Sequence, residues 1–233
     1  MLAAFAGNGV VRVYEHAPGA ILLERLKPGT TLVDLTLNGR DEEATRILAS
    51  VIQQMSACES IAEDELTKLR TPLQHCPTVR DWARAFDRYV ATGNEQIPNS
   101  LVSAGQCVFL GLCASQRQPR LLHGDLQHYN VLFDSARGWL AIDPKGVFGE
   151  IEYEVGAVLR NPVERPELFL SRLTIEERLE QFTATLNLDY ERTLRWAFAQ
   201  AVLSAIWDVE DGHVLETTGP ILKLAEVMRS MLE

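Results

Sequence analysis

The run Leu122-His-Gly-Asp-Leu-Gln-His-Tyr-Asn-Val-Leu-Phe133 sets His123, Asp125 and Asn130 in the order H-x-D-x-x-x-x-N. A second acidic element, Ile142-Asp-Pro-Lys-Gly146, follows it, and Asp143 lies 18 residues after Asp125. Phosphoryl transfer calls for such a set. One carboxylate orients an attacking hydroxyl and accepts its proton, while an amide oxygen and a second carboxylate hold Mg²⁺ on nucleotide phosphates. A short loop between two strands can present Asp125 and Asn130 to one cavity, and the following turn can bring Asp143 opposite them. The plainer alternative is that His123 and Asp125 form a satisfied buried pair in a turn. The apolar flanks of the loop and the downstream Ile-Asp weigh against it.

The elements that must position these residues follow from the hydrophobic pattern. Residues 9–15 and 20–26 are β-branched or apolar, and Pro18-Gly19 between them supplies turn chemistry, so a hairpin is expected. Gly7-Asn8-Gly9 leads into a strand rather than a helix and reads as a turn, not a phosphate cradle. Helical spacing begins at Asp41, which can cap, and continues through Leu48, Ile52 and Met55. Another helix is expected from Thr78, with Val79, Trp82, Phe86, Tyr89 and Val90 facing inward, and a third over about 100–116. Residues 120–143 are short apolar pieces broken by polar loops, as expected of small strands carrying a site. Helices return beyond residue 162, with a capping-box start at Thr174–Glu177, a long helix over 189–210 and a last one over about 219–232. This order is α+β rather than a regular βαβ alternation.

Composition narrows the function classes. The chain has 233 residues, 46% hydrophobic and 23% charged, which are globular proportions that argue against disorder. Its formal net charge is −10 with no basic stripe, so no nucleic-acid partner is expected, while a cationic small molecule would be compatible. Cys58, Cys76, Cys107 and Cys113 show neither CxxC spacing nor a zinc pattern and read as core thiols in a reducing compartment. No signal peptide is evident, and no run approaches the roughly 20 apolar residues of a membrane helix. The expected location is cytoplasmic, with no membrane partner.

The segment HGDLQHYNVLF with its downstream AIDPKG resembles the aminoglycoside phosphotransferase family of the protein-kinase-like superfamily. The tail Ala205-Ile-Trp-Asp-Val-Glu-Asp-Gly212, together with GNGVVRVYE and AILLERLKPG, is similar to the branch of streptomycin 6-phosphotransferases and hydroxyurea phosphotransferases. The resemblance implies a two-lobe α+β fold, with a mainly helical C-lobe over 27–233 and an N-lobe remnant over 1–26. It implies ATP and Mg²⁺ as cofactors and transfer of the γ-phosphate to a small-molecule hydroxyl. Asp125 would then be the catalytic base, His123 the brace of its loop, and Asn130 and Asp143 the Mg²⁺ ligands. The backbone of Glu24 and Leu26 would bind the adenine edge, the Glu24 side chain reading as a solvated strand-end charge. Lys145 reads either as a phosphate contact or as a surface lysine. His128 could line the substrate pocket or lie exposed in its loop. Asp208 and Asp211, near Glu210 at a helix end, could wall a polycationic aminoglycoside or simply be solvated. Trp207 could pack in the core or wall the pocket. Glu150, Glu152 and Glu154 read as an acidic cap on the next helix.

The family pattern also includes strands, a strand lysine and a helix glutamate ahead of the part matched here. The lysines of this chain are Lys27, Lys68, Lys145 and Lys223. Residues 1–7 resemble the end of the helix that follows the strand lysine, so the antiparallel N-lobe reads as truncated. A misassigned start, a fragment and a naturally short protein all fit. The hairpin would then have an exposed edge, and pairing of two copies through residues 9–26 is expected. A kinase-like binding protein without activity stays open as the alternative function. A eukaryotic-type protein kinase is disfavoured, because no DFG or APE element follows Asp143.

Overall fold

The computed structural model describes residues 1–56, 76–216 and 218–233. Cys58 lies outside them. A 3₁₀ turn, Leu2–Phe5, opens the chain, followed by the hairpin strands β1 (Val13–Ala17) and β2 (Ala20–Leu23). Their register pairs Ala17 with Ala20, so Pro18 and Gly19 form the two-residue turn. The strands start and stop a few residues away from the sequence expectation. The turn at Gly7-Asn8-Gly9 is as expected, with positive φ at both glycines.

A three-stranded antiparallel sheet holds Asn130 and Asp143 at its strand ends. In it β5 (Val131–Asp134) lies between β3 (Pro28–Thr31) and β6 (Gly138–Ala141). A two-stranded ribbon joins β4 (Arg120–Leu122) to β7 (Val147–Gly149). Val10 bridges to Ala141, and Val10, Val11 and Phe5 are buried in the same core as the helices.

The helices are α1 (Val33–Leu37), α2 (Asp41–Ser56), α3 (Val79–Trp82), α4 (Arg84–Thr92), α5 (Asn99–Ala114), α6 (Gly156–Leu159), α7 (Pro166–Phe169), α8 (Arg172–Leu186), α9 (Tyr190–Glu210) and α10 (Pro220–Met231). α9 is the axis, packed by α5 on one side and α10 on another. Trp196 on α9 joins Phe109 of α5 and Tyr153 edge-to-face, with centroids 5.2 and 5.3 Å away. Each ring so buried contributes about 1.5–3 kcal/mol by removal from water.

Several local expectations are corrected. Asp41 is the first helical residue of α2, and its carboxylate serves an ion pair with Arg178 rather than a cap. Ser171, not Thr174, caps α8, accepting from the Thr174 N–H. Thr78 does form a capping box with Asp81, but Val90 of α4 is exposed. The cysteines are not uniformly core thiols, since Cys113 is buried, Cys76 half-buried and Cys107 exposed.

Candidate active site

β4 ends at Leu122, and the chain turns through His123, Gly124 and Asp125 before a 3₁₀ turn, His128–Asn130, feeds β5. Gly124 is needed at the bend. Its φ is +81°, and a Cβ there would lie 2.9 Å from the Trp82 ring. His123 is fully buried and held by both ring nitrogens. Nε2 lies 2.8 Å from the Ile142 carbonyl, and the Asp125 N–H points at Nδ1 from 3.3 Å. Those partners fit a neutral ring protonated on Nε2, and burial pushes its pKa down. His123 thus links the Asp125 loop to the strand end that carries Asp143. A second link is the Gly146 N–H, which donates to the His123 carbonyl at 2.8 Å.

Asn130 donates its side-chain N–H to the Asp125 carbonyl at 2.9 Å, which leaves the amide oxygen for another partner. The Ile142 N–H donates to the Asn130 carbonyl, and Val131 pairs with Ala141, so Asn130 and Asp143 stand at adjacent strand ends. Asp143 is exposed and adopts positive φ, +55°, as the chain leaves β6.

The Asp125 carboxylate sits between two cations. Lys145 Nζ is 3.2 Å from one oxygen and Arg160 is 3.0 Å from the other. Lys145 also lies over the Trp207 ring, 5.4 Å from its centroid. It is therefore engaged at Asp125 rather than free on the surface. Arg160 is anchored from behind by Gln200 Oε1 at 2.8 Å. Gly156 makes room for that amide, since a Cβ there would come within 2.1 Å of Gln200 Oε1.

Glu154 holds the loop from below. Fully buried, it accepts from the N–H of His123 at 2.7 Å and of Gly124 at 2.9 Å. Burial pushes its carboxyl up to about 7, and these N–H groups offset part of that rise. Glu150 is buried as well, tied to Arg192 at 2.5 Å and to the Trp196 indole N–H. Neither is a helix-capping charge. Glu152 is buried too, and its pKa is raised by that burial.

Glu24, Leu26 and Asp143 come together in the lining of a cavity of about 540 Å³. Its other walls are largely apolar, among them Val11, Leu23, Leu132 and Ile142. The Glu24 side chain is not a loose strand-end charge. It pairs with Arg137 and accepts from the Arg12 N–H, while its own N–H donates to the Arg12 carbonyl.

On the opposite side of Asp125, Trp207 is half-buried and meets Trp82 edge-to-face at 5.3 Å, packing on the core with one face beside Lys145. Asp208 follows it, half-buried, and burial pushes its pKa up while Arg160 and Lys145 pull it down. Asp211 is exposed at the end of α9. Glu210 is not free for a ligand, being bidentate to Arg88 at 2.8 and 2.9 Å.

His128 is a correction. It neither lines a pocket nor lies exposed, because its ring is fully buried and neither nitrogen has a partner. Burial and the nearby Arg178 guanidinium push its pKa down to about 3. The sequence reading also missed Arg160 and the grip of Glu154. Their signal was a charge inside or at the end of an apolar run, 151–160, which must find a partner when buried.

A profile of the aminoglycoside/hydroxyurea antibiotic resistance kinases matches residues 1–212. The chain is 35% identical over 215 residues to a streptomycin 3''-kinase of Klebsiella pneumoniae, covering 91% of this chain and 75% of that protein. It is 30% identical over 225 residues to a hydroxyurea phosphotransferase of Kitasatospora aureofaciens, covering 91% of this chain and 58% of the other. Its fold matches the aminoglycoside phosphotransferase APH(4)-Ia, solved with ADP and hygromycin B, at a TM-score of 0.64 and 17% identity, over 97% of this chain and 78% of that one. The architecture is therefore the α+β kinase-like one. With the match spanning most of its length, the chain belongs to the aminoglycoside/hydroxyurea antibiotic resistance kinase family.

Proposed function

We propose that this chain carries an ATP- and Mg²⁺-dependent phosphotransferase site that moves the γ-phosphate to a hydroxyl of a small molecule, a streptomycin-like aminoglycoside or hydroxyurea. One observation carries the reading. Asp125 is fixed through its loop to the strand end bearing Asp143, which lines an apolar cavity of about 540 Å³ suited to a nucleotide base.

The substrate hydroxyl lies against Asp125. Its oxygen attacks the γ-phosphorus, the bond from phosphorus to the β,γ-bridging oxygen breaks, and ADP leaves with the bridging electrons. The hydroxyl proton passes to an Asp125 carboxylate oxygen. The Asn130 amide oxygen and the exposed Asp143 carboxylate fit Mg²⁺, which takes one or two protein oxygens and completes its shell with phosphates and water. Bound there, the ion supplies neutralisation of phosphate charge. Lys145 and Arg160 stand beside the reacting carboxylate and offer their charge to the phosphoryl group as it transfers. The Glu24 carbonyl and the Leu26 N–H take the adenine edge. Trp82, Trp207, Asp208 and Asp211 form the acceptor side for a cationic substrate.

Calorimetry with ATP·Mg and product assays with streptomycin and hydroxyurea test this. Nucleotide heat is expected, with turnover of at least one acceptor. Asp125→Asn keeps nucleotide binding and loses about 10²–10⁴ in kcat. Absence of nucleotide heat at millimolar concentration would instead support a kinase-like binding protein without activity.

Two copies are proposed to pair through the hairpin, whose strands leave Tyr14 and Leu22 63% and 57% exposed. Light scattering at micromolar concentration should show a dimer that Tyr14→Glu with Leu22→Glu dissociates. A wild-type monomer would refute the pairing.

A further inference from the structure

The two cations on Asp125 are held in different ways. The Lys145 side chain is 48% exposed and rests on the Trp207 ring, whereas that of Arg160 is 12% exposed and fixed from behind. Arg160 Nη2 donates to Asp125 Oδ1 at 3.0 Å, and Nη1 donates to Gln200 Oε1 at 2.8 Å. A guanidinium is a rigid planar fork, so a partner on one nitrogen fixes where the other points. Lys145 meets the second carboxylate oxygen, Oδ2, at 3.2 Å with no such brace on its flexible stem.

Gln200 is buried on α9 and is itself oriented. Its Nε2 donates to the Tyr153 carbonyl at 3.3 Å, which turns Oε1 toward Arg160. Arginine can only donate, so this is the orientation it needs. Gly156 opens α6 and Arg160 caps its end, four residues on and along the same face. A Cβ at Gly156 would meet Gln200 Oε1 at 2.1 Å and Cδ at 2.8 Å, so the amide reaches Arg160 only across bare backbone. Tyr153 belongs to the 3₁₀ turn Ile151–Val155, whose Glu154 grips the N–H groups of His123 and Gly124. One turn therefore places the loop backbone directly and the Asp125 carboxylate through Gln200 and Arg160.

Stability alone does not call for this chain of contacts. A helical glycine is less stabilising than alanine, and a buried polar pair is often matched by apolar groups of the same shape. We propose that Gln200 is a positioning residue for phosphoryl transfer, acting through Arg160 to aim Asp125 Oδ2 at the acceptor hydroxyl. This role rests on the phosphotransferase reading of the site. Arg160 stays on Oδ1, while Lys145 leaves Oδ2 for the phosphates when nucleotide binds. The hydroxyl proton then passes to Oδ2 as the hydroxyl oxygen bonds to the γ-phosphorus and the β,γ-bridging oxygen leaves on ADP.

The test is steady-state kinetics on the full chain with streptomycin and hydroxyurea as acceptors, beside ATP·Mg calorimetry, each variant being assayed well below its melting temperature. Gln200→Ala should lower kcat about 10–100-fold, the cost of a slightly misplaced reacting group. Its ATP·Mg Kd should stay within about twofold of the wild type. Arg160→Lys keeps the charge but has one nitrogen to serve both partners, and should show the same split. Gly156→Ala keeps the glutamine but fills its passage, and should also lower kcat at unchanged nucleotide affinity. Added to Gln200→Ala, it should bring no further loss, because the amide it displaces is already gone. An active wild type beside a Gln200→Ala variant of equal kcat would overturn the role of Gln200. So would equal losses of kcat and nucleotide affinity, or additive losses in the double variant. A wild type that turns over neither acceptor would instead overturn the phosphotransferase reading, and this role with it.

Discussion

Glu154 exerts its effect through two hydrogen bonds. Both carboxylate oxygens accept from the backbone at the His123-Gly124 bend, yet burial raises the carboxyl pKa to about 7. Relative to its ordinary value of 4.5, the folded protein holds a proton here that the unfolded chain has released. Its contribution to stability therefore falls as pH rises between those two values and is flat above them. Glu154→Gln lacks this titration, so the stability difference, wild type minus variant, should shrink from pH 5 to pH 7 in urea melts. The amide also turns a donor toward one of the loop N–H groups, costing about 1–3 kcal/mol and lowering kcat more than it changes nucleotide affinity. A pH-independent difference would show that Glu154 titrates elsewhere. Residues of this kind explain which parts of the site were legible. His123, Asp125, Asn130 and Asp143 stand in one short motif and the strand end that follows it, close enough in sequence to be read together. Glu154 and Arg160 act on the loop from 29 and 35 residues downstream of Asp125, across a fold that local pattern does not encode. His128 misled because a polar residue inside a reactive loop looks functional until its burial is known.

At the scale of elements, a helix was readable even where it is buried on several faces. The long helix was expected over 189–210 and runs over Tyr190–Glu210, with Asp189 capping it through the Arg192 N–H. Starts were less legible, because Asp41 and Thr174 satisfy the pattern of a cap while tertiary partners decide its use. Arg178 reaches Asp41 from 137 residues away. The close approach of α5 to α9 depends on one small residue that no periodicity flags. A Cβ on Gly105 would sit 2.9 Å from both Cβ and Cγ1 of Val202, a fully buried side chain on the opposing helix. Gly105→Ala should force the two helices apart and cost about 1–3 kcal/mol through overpacking, despite the better helix propensity of alanine. Adding Val202→Ala should restore much of the loss, because it removes the atoms that clash. If the double variant were less stable than Gly105→Ala alone, the contact would not be the source of the cost.

At the scale of the whole molecule, the charge of −10 was visible from composition, but its relevance depends on where the acids stand. Asp208 is half-buried between solvent and the cations at Asp125, and Asp211 adds an exposed carboxylate one turn on. A cationic acceptor approaching that wall should feel both the local carboxylates and the field of the whole chain. Hydroxyurea is uncharged and should feel neither. Salt therefore separates the two acceptor classes without any substitution, because the screening length falls from about 10 Å at 0.1 M to about 3 Å at 1 M. With ATP·Mg held saturating, kcat/KM for streptomycin should fall severalfold across that range, mostly through KM, while the value for hydroxyurea stays level. Asp208→Asn should flatten the streptomycin slope and leave the hydroxyurea line where it was. Equal salt slopes for the two acceptors would mean that Asp208 and Asp211 do not meet the substrate, and that the acidic balance serves the protein in some way other than recognition.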